Sequence, residues 1–547
     1  MNSGAKQMIL LTVAISIAAL LGWWLARDVR ESTDPGREEQ RSEPVPVTRQ
    51  FDPENAASKI ADRPPRRPRL GLEDALFGIP NERLVRFKTD ADYADFLRRL
   101  AASEARLLGK LDQFRTVRVG FDDLEDLYGL LDDEGEFFGN FLVAIPDLPE
   151  VGAQAGALPF YTNTLAWLGF TGDNSNWGEG VRVAILDTGL AEHSAFPNPI
   201  PQIDLLEDGA EVPLHGHGTA VTSLIAGNHS VSPGIAPRTE VISIRIGDET
   251  GSSNSFLLAE GITRAVDEGA QIINISMGSY GDSIIVQEAV DYARANGVLL
   301  VAAAGNEGLD IPAFPAAYEG VISVGAVDAK GDHLDFSNAG DSLSLSAPGY
   351  SLNAAWLDEQ FVLFTGTSAS APVVTAAIAA TISEMGVSVP EAADLVLSYL
   401  NEAGAPGPDP AFGGGILDIG RVMNSNTAGI YDAALASNYF QPAAGEDAVD
   451  RIFVTVQNRG TETLSNLQIN ITLPEGTYPR TVGTLRPGDV VTVDRPVTIR
   501  PDTASLSVKS SVDIPGNLRD AKPDNDALGT EIILIEPEPP AEDPPEE

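Results

Sequence analysis

The chain of 547 residues contains no cysteine. That absence excludes a thiol nucleophile, disulfide bridges and Cys-ligated zinc together. It leaves both cytosol and cell envelope open. Lysine is almost as scarce: Lys6, Lys59, Lys88, Lys110, Lys330, Lys509 and Lys522 are the only lysines among 36 basic residues, which face 79 acidic ones for a net charge of −43. Like charge repels nucleic acid and anionic membrane surfaces over a Debye length, so neither is a partner expected of the body of the chain. Histidine occurs five times, as His193, His215, His217, His229 and His333, and any imidazole chemistry must come from these. A hydrophobic content of 43% is too high for a disordered chain, and the length leaves room for roughly two to four domains.

What is present is arranged in blocks. Residues 8–26, MILLTVAISIAALLGWWLA, form one apolar run of 19 between Lys6 and Arg27, close to the ~20 residues that span a bilayer. The run exceeds the core of a signal peptide and ends Trp24-Leu25-Ala26, without a small-x-small cleavage site. An uncleaved membrane anchor over 1–27 is expected, with a cleaved signal segment as the alternative. Arg27, Arg30, Arg37 and Arg41 outweigh Lys6, which by charge alone would hold the body in the cytoplasm. Residues 28–79, rich in Pro, Arg, Glu and Ser, read as a disordered linker.

Residues 80–150 read as a small α+β domain. Its expected elements are a strand Arg83–Phe87, a helix Asp90–Leu111 carrying Phe96, Leu97, Leu100, Leu107 and Leu108, a strand through Val117, Val119 and Phe121, a short acidic helix Asp122–Leu131, and a strand Phe141–Ile145. A domain of this size is marginal alone and gains from docking on a partner. From 157 to 425, apolar β-branched strands alternate with helical patterns at 217–226, 255–268 and 283–296. This predicts an α/β domain with a mostly parallel sheet and helices on both faces. From 440 to 535 short strands between turn signals predict an all-β sandwich. Residues 536–547 are almost wholly Pro and acid, and read as a disordered tail.

Three segments of the α/β region carry reactive side chains. Val183-Ala184-Ile185-Leu186-Asp187-Thr188-Gly189 puts a carboxylate at the end of a buried strand, and His215-Gly216-His217-Gly218-Thr219 puts an imidazole in the first turn of a helix. Gly366-Thr367-Ser368 opens a second helix, where the dipole and free N–H groups favour developing negative charge. Alone, Thr367 or Ser368 is only a helix N-cap, Asp187 only a turn former, and His215 competes with His217. Together they are what acyl transfer needs: a hydroxyl, a base with pKa near 7, and a carboxylate to orient it.

With their flanks, these segments resemble the subtilisin-like serine proteases (subtilases), in the order Asp, His, Ser that subtilisin has. The resemblance covers roughly 157–420. It implies Asp187 as orienting acid, His217 as general base because His217 precedes Gly-Thr, and Ser368 as nucleophile. Asn306, in Ala304-Gly305-Asn306-Glu307-Gly308, is implied as the oxyanion donor. By the same carry-over Ser276, Met277 and Gly278 form the edge that binds a peptide backbone by strand addition. Ala303, Ala304 and Gly305 form the opposite wall of the pocket, Ala313 its floor, and Glu307 stands near its mouth. Small uncharged walls predict Leu, Phe, Tyr or Met before the scissile bond, with Glu307 adding tolerance for basic side chains. Ala369-Ser370 replaces the family's usual Met-Ala after the nucleophile, which touches no catalytic role.

The resemblance requires no catalytic cofactor. It leaves structural calcium open, without ligands that can be matched. It implies protein or peptide substrates, and casts the 80–150 domain as an inhibitory propeptide, cut between Pro149 and Ala157; a permanently attached regulatory domain is the alternative. The sandwich resembles CARDB-like adhesion modules weakly, and a spacer is the alternative. Family precedent implies an extracytoplasmic enzyme, anchored through residues 8–26 or secreted after processing, and outweighs the charge asymmetry noted above. The competing readings are an inactive peptide-binding relative, an envelope structural protein and an α/β-hydrolase esterase. The esterase is disfavoured because no Gly-x-Ser-x-Gly elbow surrounds Ser368.

Overall fold

The structure is a computed structural model that describes residues 76–131, 135–146, 156–206, 215–443, 449–499, 505–516 and 518–534. The expected anchor at 8–26, most of the linker and the acidic tail lie outside the described residues. Every described residue belongs to one compact unit, 68–547.

The first elements are β1 (Glu82–Phe87), α1 (Asp90–Leu100), β2 (Arg106–Leu111), β3 (Thr116–Gly120), α2 (Leu124–Gly129) and β4 (Gly135–Phe138). Thr89 caps α1 by accepting from the Asp92 amide at 3.2 Å, and Asp90 and Asp92 in its first turn oppose Arg98 and Arg99 in its last. The expected helix to Leu111 stops at Leu100. Ser103 ends it, donating to the Leu100 carbonyl and accepting from Ala105 N–H, and the chain turns back as β2. The Leu107-Leu108 pair fits either period, and both residues are largely exposed. The sheet order is β2-β3-β1-β4, antiparallel, with Val85, Phe87, Phe96, Val117, Val119 and Leu127 in its core. The next strand, β5 (Leu142–Ala144), leaves this sheet and pairs with a later element. Residues 76–79, assigned to the linker from sequence, pack here: Ile79 N–H donates to the Asn140 carbonyl at 2.7 Å.

The central domain runs α3 (Thr164–Trp167), β6 (Arg182–Asp187), β7 (Gln202–Asp204), α4 (His217–Ala226), β8 (Glu240–Arg245), β9 (Ser252–Asn254), α5 (Ser255–Asp267), β10 (Ile272–Ile275), α6 (Ile284–Ala295), β11 (Leu299–Ala303), β12 (Val321–Val327), β13 (Leu345–Pro348), β14 (Leu352–Ala355), β15 (Phe361–Phe364), α7 (Thr367–Met385), α8 (Val389–Ser398) and α9 (Ile419–Met423). Seven strands form one sheet in the order β13-β12-β11-β10-β6-β8-β7, every pairing parallel. Strand alternation divides the core into two layers. Val183 and Ile185 of β6 pack with Val221, Ile225, Val373 and Ile378 of α4 and α7, while Ala184 and Leu186 pack with Phe256, Ile262, Val286 and Val290 of α5 and α6. Each of the Val, Ile, Leu and Phe side chains, once fully buried, contributes about 1.5–3 kcal/mol. No single helix among the described residues is long and apolar enough to cross a membrane.

The last domain holds β16 (Ala433–Gln441), β17 (Arg451–Asn458), β18 (Leu464–Leu473), β19 (Gly476–Leu485), β20 (Val490–Pro496), β21 (Ser505–Asp513) and β22 (Ala527–Ile533). Two antiparallel sheets, β16-β17-β20 and β19-β18-β21-β22, close over Ile452, Val454, Val456, Leu467, Ile469 and Ile471. The sandwich therefore opens at Ala433, earlier than the boundary at 440 read from sequence. Pro479 and Gly483 interrupt β19, which is tolerated because β19 is an edge strand.

The sandwich is joined to the central domain by buried polar groups. Gln457 of β17 donates to the Leu400 carbonyl at 3.0 Å and accepts from Glu402 N–H at 3.0 Å and Arg459 Nε at 3.1 Å. Arg459 in turn reaches the Glu402 carbonyl at 3.3 Å. Arg421, held by the Tyr399 and Leu400 carbonyls, has its pKa lowered to about 10 by burial. Removing one partner from such a set leaves the others unpaired in a dry interface. Gln457→Ala is expected to destabilise the protein by about 1–3 kcal/mol, seen as a lower thermal midpoint; an unchanged midpoint would mean that the junction carries no stability.

Candidate active site

Strand β6 delivers Asp187 to the carboxyl edge of the sheet, where ligands bind in open α/β folds. The residue is 1% exposed, and its charge is met by donors on every side. Thr188 offers its amide and hydroxyl to Oδ1 at 2.8 and 3.2 Å, and His217 Nδ1 lies 2.8 Å from Oδ1 and 2.9 Å from Oδ2. An ionised carboxylate only accepts, so this contact puts a proton on Nδ1 and leaves Nε2 as the basic lone pair of the neutral ring. Nε2 is buried and has no hydrogen-bond partner. The close approach of α4 to β6 needs a residue without a side chain after His217. A Cβ on Gly218 would stand 2.3 Å from the Gly189 carbonyl.

Ser368 lies in the first turn of α7, after Gly366 at φ 130°. Its hydroxyl donates to the Ser276 carbonyl at 3.2 Å rather than to His217, and Ser276 Oγ reaches back to the Ser368 carbonyl at 3.2 Å. Asn306, just beyond β11, accepts at Oδ1 from both the amide and the hydroxyl of Thr367, each at 2.9 Å. With the oxygen so engaged, Nδ2 faces the turn into α7, where a Cβ on Gly366 would lie 2.7 Å from it. Thr367 is thus the residue that aims Asn306. In the sequence Thr367 is legible only as a possible cap, and its hydroxyl beside Ser368 is the one further signal.

Ser276, Met277 and Gly278 follow β10. The Met277 side chain is fully buried in the α5–α6 layer, so only the backbone of this segment is offered at the edge. Gly278 exchanges two backbone hydrogen bonds of 2.9 Å with Ala144. A cavity of about 860 Å³ is lined by Gly278, Tyr280, Gly305, Glu307 and Ala313, together with Ala144 and Pro146. Ala303 and Ala304 do not line it: Ala303 packs into the α4–α7 layer by strand alternation, and Ala304 is fully buried behind Gly305. Glu307 is not a loose charge at the mouth. Its Oε2 accepts from Tyr280 Oη and from Asn306 N–H at 2.8 Å. Burial and this carboxylate hold the Tyr280 pKa above its ordinary range.

The other histidines serve packing. His215 is half-buried against Trp356, and burial, then the neighbouring His217, lowers its pKa. His193 is buried in a loop, and its ring nitrogens lie 3.0 Å from Ala195 N–H and the Gln360 carbonyl. His229 stacks on Phe361, and His333 meets Phe412 edge-on. Among the described residues no group of three or more His, Asp or Glu side chains is placed to hold a metal ion, so no calcium ligand set is assigned.

The Subtilase family pattern matches residues 178–415. A thermostable alkaline protease of Halalkalibacterium halodurans is 36% identical over 200 residues, 36% of this chain and 55% of that protein. Alkaline elastase YaB of Bacillus sp. (strain YaB) is 35% identical over 218 residues, 39% of this chain and 56% of that protein. Subtilisin Savinase of Lederbergia lenta is 34% identical over 209 residues, which cover 37% of this chain and 76% of that protein. The chain belongs to the subtilase family. It spans about half the length of the first two of these relatives.

The Asn306 geometry makes a direct prediction. Asn306→Ala should lower kcat about 10²–10³-fold with little change in KM, the loss typical of one oxyanion donor and a magnitude established on subtilisin itself. Steady-state kinetics on a peptide substrate measures this, and a loss confined to KM would assign Asn306 to ground-state binding instead.

Proposed function

We propose that the chain is a serine endopeptidase acting through Asp187, His217, Ser368 and Asn306. The observation that carries the reading is the buried His217–Asp187 pair, which leaves Nε2 as an unpartnered base in the domain that holds Ser368 at a helix N-terminus. In the reaction the Ser368 hydroxyl turns from the Ser276 carbonyl to Nε2, which takes the proton as Oγ attacks the substrate carbonyl carbon. Asp187 stabilises the imidazolium. The developing oxyanion is met by Asn306 Nδ2 and the Ser368 N–H. Collapse expels the amine with the proton from Nε2, and water, deprotonated by the same nitrogen, hydrolyses the acyl-enzyme. The small residues Gly278, Gly305 and Ala313 support an apolar side chain before the scissile bond.

The domain of residues 76–146 acts as propeptide and intramolecular inhibitor. In support, β5 is held as a substrate strand would be, paired with β9 on one side and with Gly278 on the other, with Ile145 N–H on the Gly251 carbonyl at 2.9 Å. Asn140 accepts at 3.1 Å from both Ser255 Oγ and Phe256 N–H at the start of α5, and Arg86 pairs with Glu288 on α6. Pro146 lines the same cavity as Gly278 and Ala313. The cut expected after Pro149 therefore has to be sought from Pro146 onward, through to Ala157. An anchor at 8–26 would hold the proenzyme at the outer face of a membrane, and this cut would release it.

The test is the intact mass of the chain from residue 28, wild type beside Ser368→Ala, with casein as substrate. Wild type should lose a fragment ending between Pro146 and Ala157 and digest casein, while the variant stays whole and inert. A folded wild type that remains full length and inactive would favour a peptide-binding relative.

A further inference from the structure

The rim of the substrate cavity contains a chain of hydrogen bonds that begins at Asn338, a fully buried side chain. Asn338 Nδ2 donates to Tyr280 Oη at 2.6 Å and to the Ala304 carbonyl at 3.0 Å, and lies 3.3 Å from Glu307 Oε2. Tyr280 Oη donates onward to Glu307 Oε2. Asn338 Oδ1 accepts from Glu307 N–H at 3.1 Å and Leu309 N–H at 2.9 Å, and the Asn338 amide donates to the Gly305 carbonyl at 3.0 Å. One buried amide thus fixes both the loop that carries Asn306 and the hydroxyl that faces Glu307. Hydrogen bonds to an ionised acceptor are stronger than neutral ones and hold it in place. With Asn306 N–H and Tyr280 Oη both on Oε2, that oxygen is committed to the loop rather than to the cavity it borders.

We propose that Tyr280 determines specificity: by holding the Glu307 carboxylate against the loop, it withdraws the carboxylate beside Gly305 that would draw a Lys or Arg side chain toward the uncharged walls. Selection is then left to the uncharged walls at Gly278, Gly305 and Ala313. The inference rests on the endopeptidase reading above. Tyr280 acts through Glu307, so it is a positioning residue, and it corrects the tolerance for basic side chains expected from Glu307 alone.

The experiment compares the self-processed full chain on two peptides that differ only in Leu or Lys before the scissile bond. Tyr280→Phe should raise the Lys-to-Leu ratio of kcat/KM about fivefold, the size of one partly exposed ion pair, through a lower KM for the Lys peptide. The gain should disappear in Tyr280→Phe/Glu307→Gln and shrink in high salt, as a charge effect must. An unchanged ratio in an active Tyr280→Phe enzyme overturns the proposal. Should that variant fail to process, Glu307→Gln alone decides: a fall in the ratio of less than about twofold supports a carboxylate already tied up, and a fall of about fivefold overturns it. A processed, folded wild type that cuts neither peptide removes the endopeptidase reading itself, a result distinct from an unchanged ratio in an active enzyme.

Discussion

A carboxylate at the end of a buried parallel strand is the constraint on which the site depends. Asp187 is nearly inaccessible, and an isolated charge there would be costly. Thr188 and His217 supply its partners, and in doing so set the ring's tautomer and orientation. Everything that brings α4 against β6 serves that contact. Gly218 allows the approach, and Thr188 Oγ1 accepts from the Gly218 amide at 3.1 Å, tying the helix start to the strand end.

The second helix N-terminus is joined to the same edge by a polar network instead of a salt bridge. Thr375 of α7 donates to Asn274 at 2.9 Å, Asn274 donates to Ser276 Oγ at 3.1 Å, and Ser276 exchanges hydrogen bonds with Ser368. This chain runs from the core of the sheet to the hydroxyl, and every member is buried. A satisfied network of this kind fixes one geometry where apolar packing would allow several. It places the serine against the end of β10.

Much of this was legible in the sequence because the central domain obeys simple periods. The strands β6, β8, β10, β11 and β12 are apolar and β-branched, and the helices between them begin and end within a residue or two of the expected positions. The candidate residues Asp187, His217, Ser368 and Asn306 stand out in the sequence because each sits in a short motif with small neighbours. What was not legible depends on contacts between distant segments. The helix expected through Leu111 broke at Ser103 because an apolar pair suits strand and helix equally. Ala303 looked like a pocket wall in the linear order, yet alternation turns its side chain into the core. Tyr280 and Asn338 carry no motif, and only the folded loop brings them to Glu307. Strand β5 gave the right local signal, but nothing in its sequence shows that it pairs with β9 and Gly278 rather than with its own sheet.

The flanking domains bind the central one by different means. The N-terminal domain meets it through the backbone of β5, which a substrate segment could match, and through the side chains of Asn140 and Arg86. The sandwich meets it through Gln457 and Arg459, whose side chains reach the Leu400 and Glu402 carbonyls. The central claim, however, concerns Ser368 as a hydroxyl activated by the His217–Asp187 pair. Reaction of the processed chain with an organophosphonate probe, located by peptide mass mapping, tests it most directly. The account predicts one adduct per chain, on Ser368, and none in Asp187→Asn. Labelling of another residue, or undiminished labelling without the Asp187 carboxylate, would contradict it.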